Sequence, residues 1–502
     1  MSEQPENQSS ASPRPHRIPR IVQNWISLAG LVLAGSAVFA FVLLFAIDIF
    51  ADHSNPYMGI LAYVVAPFFF FSGVAMMLLG YWVQRRYRIK TRGEAVPLVL
   101  HIDFSKKGHR KLLITFAGVS AFFLLLTAFG SYQTYHMTET VSFCGEACHS
   151  MDPQNMAFSN SPHARVACVE CHVGEGAGNY VRTKVNGVRQ LYHTVLGDFP
   201  RPIQLHERSK RPSDETCRNC HWQEKHIGSK LKIYKHYLAD EENLPWTIKM
   251  ELNVGGGDPR QGPVEGIHWH TNLSNRVEFI EADPESGKIP WVRLTDANGE
   301  ATVFRTGGFE GTPADSEIFV MDCMDCHNRP AHRLSSPNDA VDHAMANGRI
   351  DPSMPWAKMK AVEALSGKYA NQDEAIAGIE AYLKSEYPED ERVNDLVAEV
   401  HSIYQKNFFP EMNADWRAYP ELVGHKDWVG CFRCHDGEHV ADGSGRSMKA
   451  SDCTTCHTIV SQGSTPDELA TTKPEGLPFN HIDFEYDSFD CADCHTGGNQ
   501  EE

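Results

Sequence analysis

Apolar and polar positions along this 502-residue chain follow three different rhythms. Unbroken apolar runs come first, from Trp25 to Phe50, Tyr57 to Val83 and Leu112 to Tyr135. Crossing a bilayer as a helix takes about 20 apolar residues, so each run predicts a transmembrane span. The second and third carry no charge, and the first carries only Asp48 near its end. Between Trp356 and Gln405 the spacing becomes that of surface helices: Ala375, Ile376, Ile379, Ala381 and Tyr382, then Val393, Leu396, Val397 and Val400. This spacing predicts two or three helices packed by one face. The stretch VRLTDANGEATVFRT from Val292 alternates with period two around Asn298-Gly299, which predicts a β-hairpin. The first 20 residues, rich in Ser, Pro and Gln, predict a disordered tail.

Charge placement orients the spans. Arg14, Arg17 and Arg20 precede the first, and Arg85, Arg86, Arg88, Lys90, Arg92, Lys106, Lys107, Arg110 and Lys111 lie between the second and third. The short connection from Ala51 to Pro56 holds Asp52 and no Lys or Arg. Positive charge stays inside, so the N-terminus is expected in the cytoplasm and everything after Tyr135 outside. The first span is too long for a signal-peptide core, which makes it a retained anchor. Through Tyr135 the chain has 12 Lys/Arg and 6 Asp/Glu; beyond it, 34 against 58. So acidic an exported part repels phosphate and argues against nucleic acid.

All 14 cysteines fall in seven pairs, and a histidine follows the second cysteine of every pair. They are Cys144/Cys148-His149, Cys168/Cys171-His172, Cys217/Cys220-His221, Cys323/Cys326-His327, Cys431/Cys434-His435, Cys453/Cys456-His457 and Cys491/Cys494-His495. The first pair has one extra intervening residue. With 25 histidines in the chain, seven such coincidences do not come from composition. Two thiols add across the vinyl groups of haem, and the next histidine then binds the iron. Zinc sites do not need a histidine after each pair, and disulfides do not need the fixed gap. The pattern predicts seven covalently attached haem c groups. No pair is followed by lysine, the common catalytic replacement, so an electron wire is expected over a reductase with an open haem.

MTETVSFCGEACHSM from Met137, SPHARVACVECH from Ser161, QLYHTVLG from Gln190, CRNCH at Cys217 and CMDCHNRPAH at Cys323 occur in this order. Together they resemble the NapC/NirT family of membrane-bound quinol dehydrogenases, over 112–332 with an unmatched insert of about 80 residues after His236. GHKDWVGCFRCHDGEH from Gly424 and FDCADCHTGG from Phe489 are similar to the family's longer heptahaem, three-span members. The resemblance implies a protein of the inner membrane that takes electrons from menaquinol or ubiquinol. It passes them to a periplasmic c-type cytochrome or reductase, in anaerobic or extracellular respiration. By position, Met151 matches a methionine able to ligate the first haem, and Lys184 matches the basic residue of the quinol pocket. Gln190 stands where the family has an acid, leaving His193 and Asp198 as the nearest substitutes. The other readings are an electron-transfer subunit of a larger membrane complex without its own quinol site, and a periplasmic multihaem reductase.

Low-spin haems take a second strong ligand, often histidine, and 14 non-motif histidines follow Tyr135. The candidates are His163, His332, His425, His439 and His481, one of His268 and His270, and then His226 and His236. His136, His193, His206, His343 and His401 rank lower. The expected organisation is a tail over 1–20, a three-helix membrane domain over 21–135 with a basic loop at 84–111, and a four-haem domain over 136–335. A β-rich insert at 237–322 interrupts the latter; a helical connector over 336–420 and a three-haem domain over 421–502 follow. The fold class is thus a membrane-anchored multihaem cytochrome c: three spans and a mostly α or irregular region wrapping the haems.

Overall fold

The computed structural model describes residues 24–50, 61–92, 105, 107–147, 149–174, 177–203, 213, 216–222, 228–258, 260, 264–282, 287–449, 453–482 and 495. The N-terminal tail, the 51–56 connection, much of the basic loop, Cys148, Cys491, Cys494, His206 and His226 lie outside them, as does the His149 side chain. Two compact units emerge, 1–147 and 148–502.

In the first unit, helix α1 runs Trp25–Phe50. One π-helical turn at Leu61–Val65 leads into α2, Ala66–Arg92, and α3 is Lys107–Thr138. The second run therefore stays helical to Arg92, so the first part of the expected basic loop belongs to a helix. Two helical stretches, Trp25–Ala46 and Leu61–Tyr87, are long and apolar enough to cross a membrane. α1 and α2 lie antiparallel: Asn24 donates to Gln84 Oε1 at 3.0 Å, and Ser27 Oγ donates to the Met77 carbonyl at 3.0 Å. The seam is made of small residues, Ser27, Gly30, Ala34 and Ala37 against Gly73 and Gly80. A Cβ on Gly30 would stand 2.5 Å from the Gly73 carbonyl oxygen, so only glycine allows this approach. Gly130 of α3 lies against the Tyr63 ring, and Ser131 donates to the Tyr63 carbonyl at 3.1 Å. A short α4, Val141–Gly145, capped by Thr140, carries Cys144.

The second unit begins with α5, Asp152–Ser159, α6, Cys168–His172, and α7, Ala177–Leu196. Strands β1, Lys230–Tyr237, and β2, Pro245–Leu252, pair antiparallel, and β3 (Arg276–Ile280), β4 (Trp291–Thr295), β5 (Ala301–Arg305) and β6 (Phe319–Val320) follow. The hairpin falls where expected, with Thr295 paired to Ala301 around Asn298-Gly299. Helices α8 (Pro337–Ala346), α9 (Ala357–Ser366), α10 (Gln372–Glu386) and α11 (Val393–Asn407) come next. β7 (Val440–Ala441), β8 (His457–Gly463) and α12 (Pro466–Ala470) complete the order. The sheets run β1-β2-β8 and β6-β3-β4-β5-β7. Strands after residue 421 therefore finish both sheets of the insert, which is not a self-contained module.

The larger core is the helical connector. Ile379 and Leu383 of α10 and Leu396 and Val400 of α11 are buried with Val341, Met345 and Leu365. Ser336 and Asn371 cap α8 and α10 by accepting from Asp339 N and Glu374 N, and acids fill the first turn of each, as the helix dipole favours. A smaller core, Val277, Phe279, Val292, Phe304 and Ala441, lies under the five-stranded sheet. The paired cysteines of five motifs lie on α6 and at short 3₁₀ turns, Cys217–Asn219, Cys323–Asp325, Gly430–Arg433 and Cys453–Thr455.

Candidate functional site

Six motif histidines each face a second histidine across a similar gap. Ring centroids stand 6.0 Å apart for His221 and His163, 6.0 Å for His172 and His332, and 6.3 Å for His327 and His268. They stand 5.8 Å apart for His435 and His270, 6.2 Å for His457 and His425, and 6.1 Å for His495 and His481. A metal–imidazole bond is about 2 Å, so two imidazoles sharing one metal put their ring centres about 6 Å apart. The gaps fit one iron each. Among the described residues, no group of three or more His, Cys, Asp or Glu could hold a bare metal ion.

Local hydrogen bonds orient several of these rings. His163 Nδ1 donates to the Pro330 carbonyl at 2.9 Å, His332 Nδ1 to the Gln154 carbonyl at 3.1 Å, and His270 Nδ1 to the Ile267 carbonyl at 2.8 Å. A proton fixed on Nδ1 leaves the Nε2 lone pair for a metal. Burial pushes the pKa of His172, His327, His435, His457 and His495 down, and that of His332 to about 4. Neutral imidazole is the form that binds metal.

The cysteines differ in their surroundings, and none of the described ones is joined in a disulfide. Cys171, Cys220, Cys431 and Cys453 are exposed, while Cys144, Cys168 and Cys456 are half-buried. Placement of these sulfurs comes from the backbone around them. Cys220 N donates to the Cys217 carbonyl at 3.1 Å and Cys456 N to the Cys453 carbonyl at 3.1 Å, which turns both thiols of each pair within one tight loop. Cys171 gets the same closeness to Cys168 from one turn of α6. Burial pushes Cys326 up to about 11 and Cys434 up to about 12.

The histidine partners come from far along the chain, and this draws the motifs together. His163 precedes the second motif yet faces the third, and His332 follows the fourth yet faces the second. Arg433, between the cysteines of the fifth motif, donates to the Asp325 carbonyl in the fourth at 2.8 Å. Asn328 bonds Pro420 O and Leu422 N, fixing the strand of chain that leads to His425. No spacing in the sequence announces the Arg433 clasp.

Two candidates are placed otherwise. His439 is fully buried, its Nδ1 on the Asp436 carboxylate at 2.9 Å and its Nε2 donating to the Ile289 carbonyl at 2.6 Å, so both nitrogens are taken. It fastens the fifth motif to the sheet. His236 holds Asp342 at 3.1 Å and stacks on Tyr234. Both of the histidines in IHWH, rather than one, face a motif histidine.

At the expected quinol site, Met151 ends a 3₁₀ turn over His149–Met151, and Lys184 and His193 both lie on α7. His193 Nδ1 meets Asp198 Oδ1 at 2.8 Å. Nine residues of helix turn the chain by about 180°, so Lys184 and His193 point to opposite faces. Lys184 shares its face with Val188, Leu191 and Val195, which are 70%, 41% and 76% exposed. His193 shares the other face with Arg182 and Arg189.

Comparison with known proteins gives a match to the NapC/NirT cytochrome c family, N-terminal region, over residues 106–233. The chain is 36% identical over 486 residues to the cytochrome c-type protein ImcH of Geobacter sulfurreducens, covering 94% of this chain and 95% of that one. It is 26% identical over 225 residues to the cytochrome c-type protein TorY of Escherichia coli O157:H7, 38% of this chain and 60% of the relative. With the cytochrome c-type protein TorC of Escherichia coli K12 it shares 28% identity over 103 residues, 17% and 26% of the two chains. No solved structure matches.

Proposed function

We propose that this chain, which belongs to the NapC/NirT cytochrome c family, oxidises quinol at the inner membrane and delivers the electrons through seven haem c groups to a periplasmic c-type cytochrome or reductase. Membership makes it a membrane-anchored multihaem cytochrome with covalently bound haem c, working in electron transfer. The proposal adds the quinol, the count of seven, three spans with α3 as the third, and an orientation with the haem region outside.

The six facing imidazole pairs carry the reading. With haem at these six motifs, the motif histidine and the imidazole facing it would both be taken up by the iron, leaving no position there for a substrate, which suits relay. Bound there, haem supplies one-electron carriers whose potentials are set by ligands, burial and hydrogen bonds. At each of the six, the two cysteines, the motif histidine and the histidine that faces it would hold the group. In this reading Met151 or His149 ligates the first haem.

The quinol site is α7. Its exposed apolar stripe carries Lys184 as the charge within it, a surface suited to a quinol ring and the oxygen it presents. On the other face, His193 is held at Nδ1 by Asp198. That opposite placement also favours the second reading, a subunit of a larger complex in which another chain oxidises quinol.

Anaerobic reduction of the purified protein by a menaquinol analogue, followed optically, separates the two. The proposal expects full haem reduction in wild type. It expects Lys184→Ala to react about tenfold or more slowly, the loss of one charged hydrogen bond worth about 1.5 kcal/mol or more. Equal rates would remove Lys184 from the site. An inert wild type would leave the subunit reading.

A further inference from the structure

We infer that His268 and His270, two residues apart in the insert, ligate two different haem irons, those of the fourth and fifth motifs, and so form the junction through which the four-haem and three-haem groups are wired together. The inference rests on haem attachment as proposed above. His268 faces His327 at 6.3 Å and His270 faces His435 at 5.8 Å, from one 3₁₀ turn, Ile267–Thr271. Two metals held by side chains this close along one backbone must be neighbours.

Contacts between the two haem-binding loops agree independently. The Arg433 guanidinium reaches across from the fifth motif to the Asp325 carbonyl at 2.8 Å, and binds its own Gly430 carbonyl at 3.1 Å. The side chain therefore clasps the loops while leaving their cysteines and histidines to the haems.

The turn is a rigid pedestal. Ile267 N and His268 N donate to the Asn253 and Val254 carbonyls at 2.9 and 3.0 Å. Gly255 comes so close to the 265–266 backbone that a Cβ there would lie 1.9 Å from the Glu265 oxygen. Buried Asn272 donates to the Gly257 carbonyl at 2.7 Å, and Asn275 to the Trp269 carbonyl at 3.0 Å. Trp269, between the two histidines, packs against the core of the five-stranded sheet. Both histidines stand on this one hydrogen-bonded turn, so the pedestal would set the positions of both irons together. The insert thus supplies the step from one haem group to the next.

The test uses the haem-loaded full chain. His268→Ala and His270→Ala are each examined by electron paramagnetic resonance of the oxidised protein, with haem content from intact mass. Each is expected to convert one haem of seven to high spin, and the double variant two. Each new signal should be broadened by its oxidised neighbour and sharpen when that neighbour is reduced. His268→Met and His270→Met should instead give one low-spin histidine–methionine haem each, seen by near-infrared magnetic circular dichroism. His439→Ala, a residue with both ring nitrogens engaged, should leave every haem low spin. With seven haems still attached, the inference falls if neither alanine variant yields a high-spin haem, if the double variant yields only one, if the signals show no mutual coupling, or if His439→Ala does the same. A wild-type mass lacking haem would instead overturn the reading on which it stands.

Discussion

Asp342 joins the helical connector to the first sheet, and removing its charge should be felt across both. The carboxylate is 7% exposed. Its Oδ1 accepts from Lys358 Nζ at 2.5 Å and from Tyr237 N at 3.0 Å, and its Oδ2 meets His236 Nδ1 at 3.1 Å. Lys358 is 3% exposed, and its one further acceptor is the Asn338 carbonyl at 2.9 Å. Burial pushes the Lys358 pKa down, and the Asp342 charge opposes that fall. Asp342→Asn keeps the shape but strands a buried ammonium, which costs about 3–5 kcal/mol. Lys358→Met strands the carboxylate less severely, because Tyr237 N and His236 remain. The Asn/Met double variant holds no uncompensated charge and should recover about 2 kcal/mol or more of the summed loss. Scanning calorimetry of the haem-loaded protein should show Asp342→Asn melting about 10 °C lower, at a few degrees per kcal/mol, with the double variant partway back. If the double variant is as unstable as the two losses added, Asp342 and Lys358 are not coupled and the reasoning fails.

Glu278 of β3 is held by Arg293 at 2.6 Å and Arg276 at 2.9 Å, and those guanidinium groups lower its pKa. A lowered carboxyl stabilises above its ordinary value of 4.5 and loses that contribution as pH falls through the folded value. Glu278→Gln should therefore cost about 1–3 kcal/mol at neutral pH and less in acid; a pH-independent loss in melting experiments would contradict this. Gly30→Val drives a side chain into the Gly73 carbonyl, so the α1–α2 seam should open at a cost of about 1–3 kcal/mol, read as earlier thermal aggregation in detergent; unchanged aggregation would refute the seam. His332→Ala and His163→Ala should each turn one haem high spin, at the second and third motifs respectively; a spectrum identical to wild type would unseat the pairing.

Much of this was legible in the sequence because its causes are local. The first span coincides with α1, the connector periodicity with α10 and α11, and the Asn-Gly turn with the β4–β5 hairpin. The haem attachment pattern is local too, since two thiols and a histidine must sit within five or six residues of each other. The pairing of histidines was not legible, because it is a property of the fold. His425 and His439 flank the same motif at similar distances, yet one faces His457 and the other is fully engaged by Asp436 and Ile289. No periodicity separates them. The sharing of sheets between the insert and the C-terminal part was hidden for the same reason: β7 is two residues long, and only its neighbours define it.

The crossed partnerships set an order on how the protein is made. His172 belongs to the second motif, but the ring that faces it, His332, follows it by about 160 residues. If haem attaches as proposed, the second motif would wait with one side open until His332 is made, while the third could close at once on His163, which precedes it. Until then the His172 ring would lack the imidazole that faces it in the finished fold. A chain cut before His332 would never supply that ring, so on the proposed reading an early motif depends on residues made long after it.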